Sequence, residues 1–203
     1  MYDPRMKNLP LFISYPRSGS HWIASLTQLY FNRPKLRNAK PIVSGNNYLF
    51  FHDHDERSDM ELPHNRIIYL YRDPDDVLFS LSKAEIGVNI EQRIKNLKRH
   101  YEKYLLNKAH VVIKYENFKI DLYDEFNKVI QFFAPGEIVD KAKLDKANQA
   151  VAIPKLIQRH GQNKYLNSLI TTQRYSIERS KFKKKQSKYI YDKIITDNLR
   201  QFF

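Results

Sequence analysis

Hydrophobic and polar positions divide the chain into short apolar runs and longer amphipathic stretches. Four short runs are mostly apolar and rich in β-branched or aromatic residues, which predicts buried strands over residues 11–15, 48–51, 66–71 and 110–115. Behind Gly19 the apolar positions change to helical spacing, and they recur at Trp22, Ile23, Leu26, Leu29 and Tyr30. The first strand is therefore predicted to lead through a tight turn into a helix.

Further helices are predicted between and behind the other strands. One begins at Pro74, because Asp73 is a suitable N-cap and proline fits the first helical position. It continues to about residue 83, and others are predicted over about residues 90–106, 122–133, 137–150 and 186–199. Residues 32–47 contain two prolines and a glycine and are predicted to form a loop.

Strands that alternate with helices indicate an α/β fold, a three-layer sandwich whose central parallel sheet is flanked by helices. The sequence shows no internal repeat or linker, so residues 1–203 are predicted to form a single domain. Ligands of such folds bind beyond the carboxyl ends of the strands. Polar clusters follow the predicted strands at that edge, at residues 16–20, 52–55, 72 and 115–116.

Composition narrows the possible functions only partly. The chain has no cysteine, which excludes disulfides and thiolate metal sites. Its net charge is +13, and residues 174–188 hold seven basic side chains and one acidic side chain, a net charge of +6. Such a patch is typical of proteins that bind a polyanion or a charged nucleotide, and also of an ordinary solvated surface. The N-terminal residues lack a long apolar segment, so we expect no membrane span and a cytoplasmic location.

The turn YPRSGSHW, residues 15–22, has the composition of an anion-binding loop. It connects a strand to a helix N-terminus, where backbone N–H groups attract negative charge. The amides of residues 18–21, two serine hydroxyls and the guanidinium of Arg17 can surround one phosphate-like group. An ordinary strand–helix turn with a serine N-cap is the alternative. The loop lacks the G-x-x-x-x-G-K-[ST] pattern of nucleoside-triphosphate P-loops.

A second motif, RDPDDVLFS, begins at the end of the third predicted strand. In it Arg72 is followed eight residues later by Ser80, two turns into the predicted helix. Together the two segments resemble the cofactor motifs of sulfotransferases that use 3′-phosphoadenosine 5′-phosphosulfate (PAPS), a Y-P-K-S-G-T-T-W loop and an R-[ND]-P-x-D-V-x-x-S segment. The fourth predicted strand ends in Tyr-Glu-Asn, which is similar to a third family feature. The resemblance extends over about residues 9–135.

This resemblance implies the P-loop nucleotide-kinase-like fold of the sulfotransferases. It also implies transfer of a sulfuryl group from PAPS to a hydroxyl or amine, with 3′,5′-adenosine bisphosphate (PAP) as the product. Arg17 would bind the bridge between phosphate and sulfate, within a loop lined by Ser18, Gly19, Ser20 and His21. Arg72 and Ser80 would clamp the 3′-phosphate. The alternative for Arg72 is a structural ion pair with Asp75 or Asp76.

The resemblance also implies which residues bind the adenine of the cofactor. Trp22 would stack on the base and Tyr115 would contact its edge, although an aromatic residue at either position could equally be part of the core. Many family members carry an R-x-G-x-x-G-x-W-K flap near the C-terminus, and RYSIERSKFKKK departs from that pattern because it has no glycine. The segment is strongly basic, so we expect Arg174, Arg179 or Lys181 to reach the 3′-phosphate.

The general base is expected directly behind the second predicted strand. Soluble members of the family carry a histidine there, and His52 of FFHDHDERS occupies that place. A histidine suits the removal of a proton from an acceptor hydroxyl near neutral pH. His54 is the second candidate, because strand alternation places it on the same side of the chain as His52. Asp53 and Asp55 stay open, since some members of the wider superfamily use a carboxylate.

The same HDHD stretch also suggests a metal site, since two histidines point one way with an aspartate nearby. The other five histidines form no second ligand motif. A sulfuryl group carries less charge than a phosphoryl group during transfer, so Mg²⁺ is not required for the reaction. We therefore expect no metal.

Two other classes of function fit parts of the sequence. A basic module that binds nucleic acid or another polyanion would explain the charge but not the spacing of Arg72 and Ser80. A small-molecule kinase would share the fold class, but the P-loop lysine is not in its usual place. For a sulfotransferase, we expect a polar small-molecule or glycan acceptor, bound by loops at residues 32–48, 83–89 and 154–168, and no nucleic acid. The oligomeric state is open, because the family's dimerisation motif is not recognisable.

Overall fold

The computed structural model describes residues 9–37, 47–56, 58–59, 66–84 and 89–203, with the side chains of residues 152–174 outside the description. These residues form a parallel sheet of five strands: β1 (Leu11–Ser14), β2 (Lys35–Arg37), β3 (Phe50–Asp53), β4 (Ile67–Tyr71) and β5 (Val111–Lys114). Their order across the sheet is β2-β3-β1-β4-β5, with β1 at the centre. The predicted α/β class with a central parallel sheet is confirmed.

Helices cover the sheet on both sides. They are α1 (Ser20–Phe31), α2 (Pro74–Ala84), α3 (Ile90–Lys103), α4 (Asn117–Ile120), α5 (Leu122–Phe133) and α6 (Lys141–Ile194). A π-helical turn, Tyr104–Lys108, continues α3, and a 3₁₀ helix, Asp197–Phe202, follows α6. Side-chain caps determine where several helices start. Asn89, Asp121 and Asp140 accept hydrogen bonds from first-turn amides of α3, α5 and α6.

The core lies in two layers, one on each face of the sheet. Because side chains alternate along a strand, Leu11 and Ile13 of β1 face one layer while Phe12 faces the other. The first layer packs against α2, α3 and the last turns of α6. The second packs against α1, α5 and the first turns of α6, through Leu144 and Ala147. The two layers make the fold a three-layer sandwich.

Three segments near the site have a different secondary structure from the one predicted from the sequence. Strand β3 runs from Phe50 to Asp53 rather than ending at residue 51, so His52 lies inside the strand and His54 directly behind it. Residues 35–37, predicted as loop, form the edge strand β2. The predicted loop 154–168 is wrong, because these residues belong to the single helix α6.

Strand register brings the carboxyl ends of the strands to one level. Ile13 pairs with Asp53, Ser14 with Leu70, and Tyr71 with Lys114. The loops behind β1, β3, β4 and β5 therefore emerge side by side at one edge of the sheet. This is the edge where parallel α/β folds bind their ligands.

Candidate active site

The loop behind β1 has two residues in the left-handed backbone conformation. Arg17 has φ of 70° and Gly19 has φ of 90°. Arg17 adopts this region at a cost, since a side chain disfavours positive φ. Glycine is required at position 19 for two reasons. Its backbone has a positive φ, and a Cβ atom there would lie 2.3 Å from the ring of Tyr115. Tyr115, from the end of β5, is packed directly onto the loop.

Gly19 is the N-cap of α1 and has no side chain to accept from the first-turn amides. Helix α1 starts at Ser20, so the amide of Ser20 has no acceptor within the helix and is suited to an anion. The amide of Ser18 was expected to bind the same anion. Instead it donates a hydrogen bond to the carbonyl of Tyr15 at 3.2 Å. The hydroxyl of Ser18 is buried and has no hydrogen-bond partner among the described residues.

Arg17, Ser80 and Arg72 form a connected cluster. Nε of Arg17 donates to Oγ of Ser80 at 3.0 Å, and Nη1 of Arg72 donates to the carbonyl of Arg17 at 3.1 Å. The three residues come from the loop behind β1, the end of β4 and the second turn of α2. The motif spacing thus brings two guanidinium groups and a hydroxyl to one place.

Arg72 is surrounded by groups that orient it. Its guanidinium carbon lies 4.5 Å from the centre of the Tyr115 ring, a cation–π contact. Carboxylates of Asp76 and Glu116 lie 3.7 and 3.9 Å from its nitrogens. Nε of Arg72 is buried and has no hydrogen-bond partner among the described residues. These contacts orient the Arg72 guanidinium at the wall of the cavity, where it can bind an anionic ligand.

Helix α6 supplies two more cations, both paired with Asp76 on α2. Arg179 binds the Asp76 carboxylate through Nε and Nη2, and Lys183 lies 3.1 Å from it. Burial raises the pKa of Asp76, but the hydrogen bonds from Arg179 and Lys183 outweigh this and lower it overall. Arg179 therefore contacts Arg72 indirectly, through a shared carboxylate. Lys181 is exposed, and the side chain of Arg174 lies outside the described residues.

Trp22 lies in the first turn of α1 and is half-buried. Its indole Nε1 donates to Oδ1 of Asn148 on α6 at 3.0 Å, which fixes the orientation of the ring. Its ring meets that of Tyr115 nearly edge-on, with centroids 5.9 Å apart. An aromatic face held by a hydrogen bond is a suitable platform for a planar base.

Three histidines gather beside the loop. The ring centroids of His52 and His54 are 5.2 Å apart, and His21 lies 6.3 and 6.5 Å from them. His52 is 4% exposed and meets Phe12 edge-on, within the second core layer. His54 is partly exposed, and its Nδ1 lies 3.0 Å from the carbonyl of Ser14. Of the two histidines of the HDHD stretch, His54 is the one at the surface of the site.

These groups line one open cavity of about 690 Å³. Its walls are formed by Pro16, Arg17, Gly19, Ser20, His21, Trp22, His54, Arg72, Ser80 and Tyr115. The structure thus assembles eight of the residues singled out from the sequence motifs, together with His54. A cavity with two guanidinium groups, an aromatic platform and a histidine can hold a nucleotide with phosphates at both ends.

Several contacts in the site were not predicted from the sequence. Asn148 lies on α6, more than a hundred residues from its partner Trp22, and no local pattern marks it. Asp76 was considered only as a partner of Arg72, and its pairing with Arg179 and Lys183 was missed. Glu116 accepts a hydrogen bond from the amide of Asp73. Lys119 lies 4.7 Å from the Tyr115 ring, on the exposed surface beside the cavity.

The described residues form neither a metal site nor a membrane-spanning helix. No group of three histidine, aspartate or glutamate side chains there is arranged to hold a metal ion. None of the helices within that part of the chain is both long and apolar enough to cross a membrane.

Comparison with solved structures identifies the fold. Mouse sulfotransferase SULT7A1, solved in complex with PAP, superposes with a TM-score of 0.53 at 15% sequence identity, over 77% of this chain and 68% of that one. Retinol dehydratase, solved with androsterone and PAP, superposes with a TM-score of 0.51 at 14% identity, over 75% of this chain and 66% of that one. The fold is the sulfotransferase fold.

At these identities the likeness extends to the fold alone. No protein-family model matches the chain, and no curated protein matches it in sequence. The chain spans about two thirds of the length of the two sulfotransferase-fold structures. A shared fold does not define a function, which depends on the chemistry of the site.

Proposed function

We propose that this protein is a sulfotransferase that moves a sulfuryl group from PAPS to a hydroxyl or amine of an acceptor. One observation carries the proposal: Arg17, Arg72 and Ser80, brought from three segments, converge in one cavity that Trp22 also lines. Both neighbouring folds were solved with PAP, the product of PAPS after transfer. The structural likeness supports this class of function, and the cavity chemistry supports the choice of cofactor.

The residues present fit both ends of PAPS. The 3′-phosphate would bind between Arg72 and Ser80, which both line the cavity. The 5′-phosphosulfate would bind over the start of α1, near the amide of Ser20 and the guanidinium of Arg17.

The adenine would stack on Trp22. Asn148 holds the indole in place, and Tyr115 closes the adjoining wall while it packs on Gly19. Base–aromatic stacking contributes about 1–3 kcal/mol in other nucleotide sites. The two aromatic rings would therefore select a nucleotide over an inorganic phosphosulfate.

Arg179 would support the 3′-phosphate through Asp76 rather than touch it. Its guanidinium is already bound to the Asp76 carboxylate, which also lies beside Arg72. Lys183 shares this carboxylate. Glu116 beside Arg72 and Asp73 beside Lys183 are further acidic partners of these cations. Among the described residues, the unpaired guanidinium charge nearest the cavity would therefore come from Arg17.

The reaction itself needs positioned charge and one proton acceptor. An S–O bond to the 5′-phosphate breaks while a new S–O bond forms to the acceptor oxygen, and the acceptor hydroxyl loses its proton. Arg17 would offset the charge that develops on the departing phosphate. Positioning and charge stabilisation carry most of the catalysis in the related phosphoryl transfers.

We propose His54 as the general base, in place of His52, which the sequence favoured. His54 lines the cavity, whereas His52 is packed in the core within β3. Asp55 is bonded to Lys103 and Tyr104, and Asp53 accepts from the His54 amide. Both carboxylates thus have structural roles. A polar small molecule or glycan that offers a hydroxyl would suit a base at this place.

The test is turnover of ³⁵S-labelled PAPS with a panel of phenols, sugars and amines. We expect label transfer to at least one acceptor, with release of PAP. His54→Ala should lower the rate about 10²–10⁴-fold, the usual contribution of a general base, and leave PAP affinity unchanged. His52→Asn should lose much less activity. A wild-type rate in His54→Ala, with an inactive His52→Asn that still binds PAP, would assign the base to His52 instead.

A further inference from the structure

The turn behind β3, residues 54–56, is held by the C-terminal half of α3 and the π-helical turn that follows. Nε2 of His100 lies 2.8 Å from the carbonyl of His54. Lys103 and Tyr104 bind the Asp55 carboxylate at 2.8 and 2.6 Å. These contacts hold a strained backbone, since Asp55 has φ of 44°. The segment that carries the proposed base is thus attached to a helix that does not line the cavity.

His100 is fully buried, and both of its ring nitrogens are bonded. A carbonyl oxygen only accepts, so Nε2 of His100 must carry the proton that it shares with His54. Nδ1 then accepts from the hydroxyl of Tyr69 on β4, at 2.8 Å. This pair of bonds defines one tautomer of His100 and ties α3 to the central sheet. Burial lowers the pKa of His100 to about 3, so the ring stays neutral.

The same logic determines the tautomer of His54. Its Nδ1 lies 3.0 Å from the carbonyl of Ser14 at the end of β1 and 3.3 Å from the Ser14 hydroxyl. The carbonyl can only accept and the hydroxyl can also accept, so the shorter contact favours a proton on Nδ1. Nε2 of the neutral ring is left as the proton acceptor. A base needs this free lone pair directed at the acceptor, and a displacement of about 1 Å can cost about 10²-fold in rate.

We propose that His100 is a positioning residue for His54. By holding the His54 carbonyl, it keeps the His54 ring against Ser14 and leaves Nε2 available to the cavity. This inference rests on the proposed function only for its effect on rate. The structural part, a defined His54 tautomer that depends on His100, stands independently of what the cavity binds.

The groups that face His100 come from several elements. Tyr69 of β4, Tyr15 behind β1 and Tyr104 of the π-helical turn pack against its ring, with centroids 4.7–5.3 Å away. The charges nearby are Asp55 and Lys103, which pair with each other. His100 is therefore enclosed by aromatic rings, where an apolar side chain would pack as well. A polar ring there costs desolvation that its two hydrogen bonds offset, and a positioning role accounts for its presence.

Three variants separate positioning from general stability. His100→Phe fills the space and removes both hydrogen bonds. His100→Gln retains a donor that can reach the His54 carbonyl, and serves as the conservative rescue. Tyr69→Phe keeps the imidazole and its bond to the His54 carbonyl but removes the donor to Nδ1, so His100 loses its attachment to β4.

Three measurements apply to each full-length variant. Calorimetry with PAP reports cofactor binding and tests the proposed function. Consumption of ³⁵S-labelled PAPS in the absence of an added acceptor reports sulfuryl transfer to water. Long-range ¹H–¹⁵N correlation spectra report the tautomer of the His54 ring directly.

We expect His100→Phe to lose about 10–100-fold in PAPS consumption with unchanged PAP affinity, and His54 to become a mixture of tautomers. His100→Gln should recover most of the rate, and Tyr69→Phe should be intermediate. A folded His100→Phe with wild-type rate and a single Nδ1–H tautomer at His54 would overturn the inference. If His100→Phe does not fold, Tyr69→Phe decides the question, because an unchanged rate with a single Nδ1–H tautomer at His54 would overturn the inference.

The outcomes also distinguish the two proposals. A wild-type protein that does not bind PAP refutes the proposed function, while the tautomer spectra still test His100. A wild-type protein that binds PAP, with variants that lose rate and PAP affinity together, would refute positioning and assign His100 a purely structural role.

Discussion

Nε of Arg17 donates a hydrogen bond to Oγ of Ser80 at 3.0 Å, which joins the two motifs that the sequence marked as the ends of a cofactor site. The bond shows that both motifs serve one cavity. Because the Ser80 oxygen accepts from Arg17, its own O–H remains available to donate to a phosphate. Ser80 can therefore hold Arg17 and contact the cofactor at the same time.

Replacing Ser80 with alanine removes a contact to the 3′-phosphate and the partner of Arg17. We expect PAP affinity to fall about 10–100-fold, since a hydrogen bond to a charged group contributes about 1.5–3 kcal/mol. Ser82→Ala is the matched control, because Ser82 lies on the same helix and donates only to the Phe79 carbonyl. Calorimetry with PAP compares the two. Equal PAP affinities in the two variants would show that Ser80 does not contribute to PAP binding.

Gly19→Ala tests the packing of Tyr115 on the loop. Gly19 and Gly136 have nearly the same φ, 90° and 87°, but only Gly19 has Tyr115 within 2.3 Å of a new Cβ atom. Gly136→Ala should therefore cost only the backbone term, about 1–2 kcal/mol of unfolding free energy. Gly19→Ala should cost more and abolish PAP binding, because Tyr115 must move. Urea unfolding and calorimetry measure both effects, and equal losses of stability would contradict the clash.

A double-mutant cycle tests whether Arg179 acts through Asp76. Arg179→Ala should weaken PAP binding, because Asp76 is then left to hold Arg72 more closely. In an Asp76→Asn background the same change should have no further effect. Lys184→Ala, which removes an exposed lysine of the same helix, controls for the loss of charge. If Arg179→Ala weakens PAP equally in both backgrounds, Arg179 contacts the phosphate itself.

Acid should destabilise the protein through His100. In the unfolded chain this histidine takes up a proton as the pH falls below its ordinary pKa of 6.5, but in the folded protein burial lowers the pKa to about 3. The unfolded state therefore binds more protons between these values, and stability falls as the pH is lowered through the window. Urea unfolding at pH 7 and pH 5 should show a smaller loss in His100→Gln. The same loss in both proteins would contradict a buried neutral imidazole.

Much of the architecture could be predicted from local patterns. The sequence 122–133 was predicted as a helix, and α5 spans Leu122–Phe133 behind an Asp121 cap. The turn between β1 and α1 was predicted because an apolar run, a glycine and helical spacing follow one another within twenty residues. Here local propensity, capping and tertiary packing agree.

Other features depended on contacts that a sequence does not display. Strand β2 has a single buried apolar residue, Leu36, between two basic ones, so its pairing with β3 overrides a weak local pattern. Residues 154–168 were predicted as a loop, whereas α6 is continuous through them. The end of β3 was placed two residues early, so His52 was expected directly behind the strand, where the structure has His54. Strand boundaries are set by pairing with β1, and that pairing is visible only in the fold.

The most direct test of the account is calorimetric titration with PAP, alongside AMP and ATP. A clamp that holds phosphates at both ends predicts tight binding of PAP and at least tenfold weaker binding of AMP, which lacks the 3′-phosphate. Arg72→Ala should abolish this preference. Equal affinity for all three nucleotides, or binding of none, would contradict a PAPS site in this cavity.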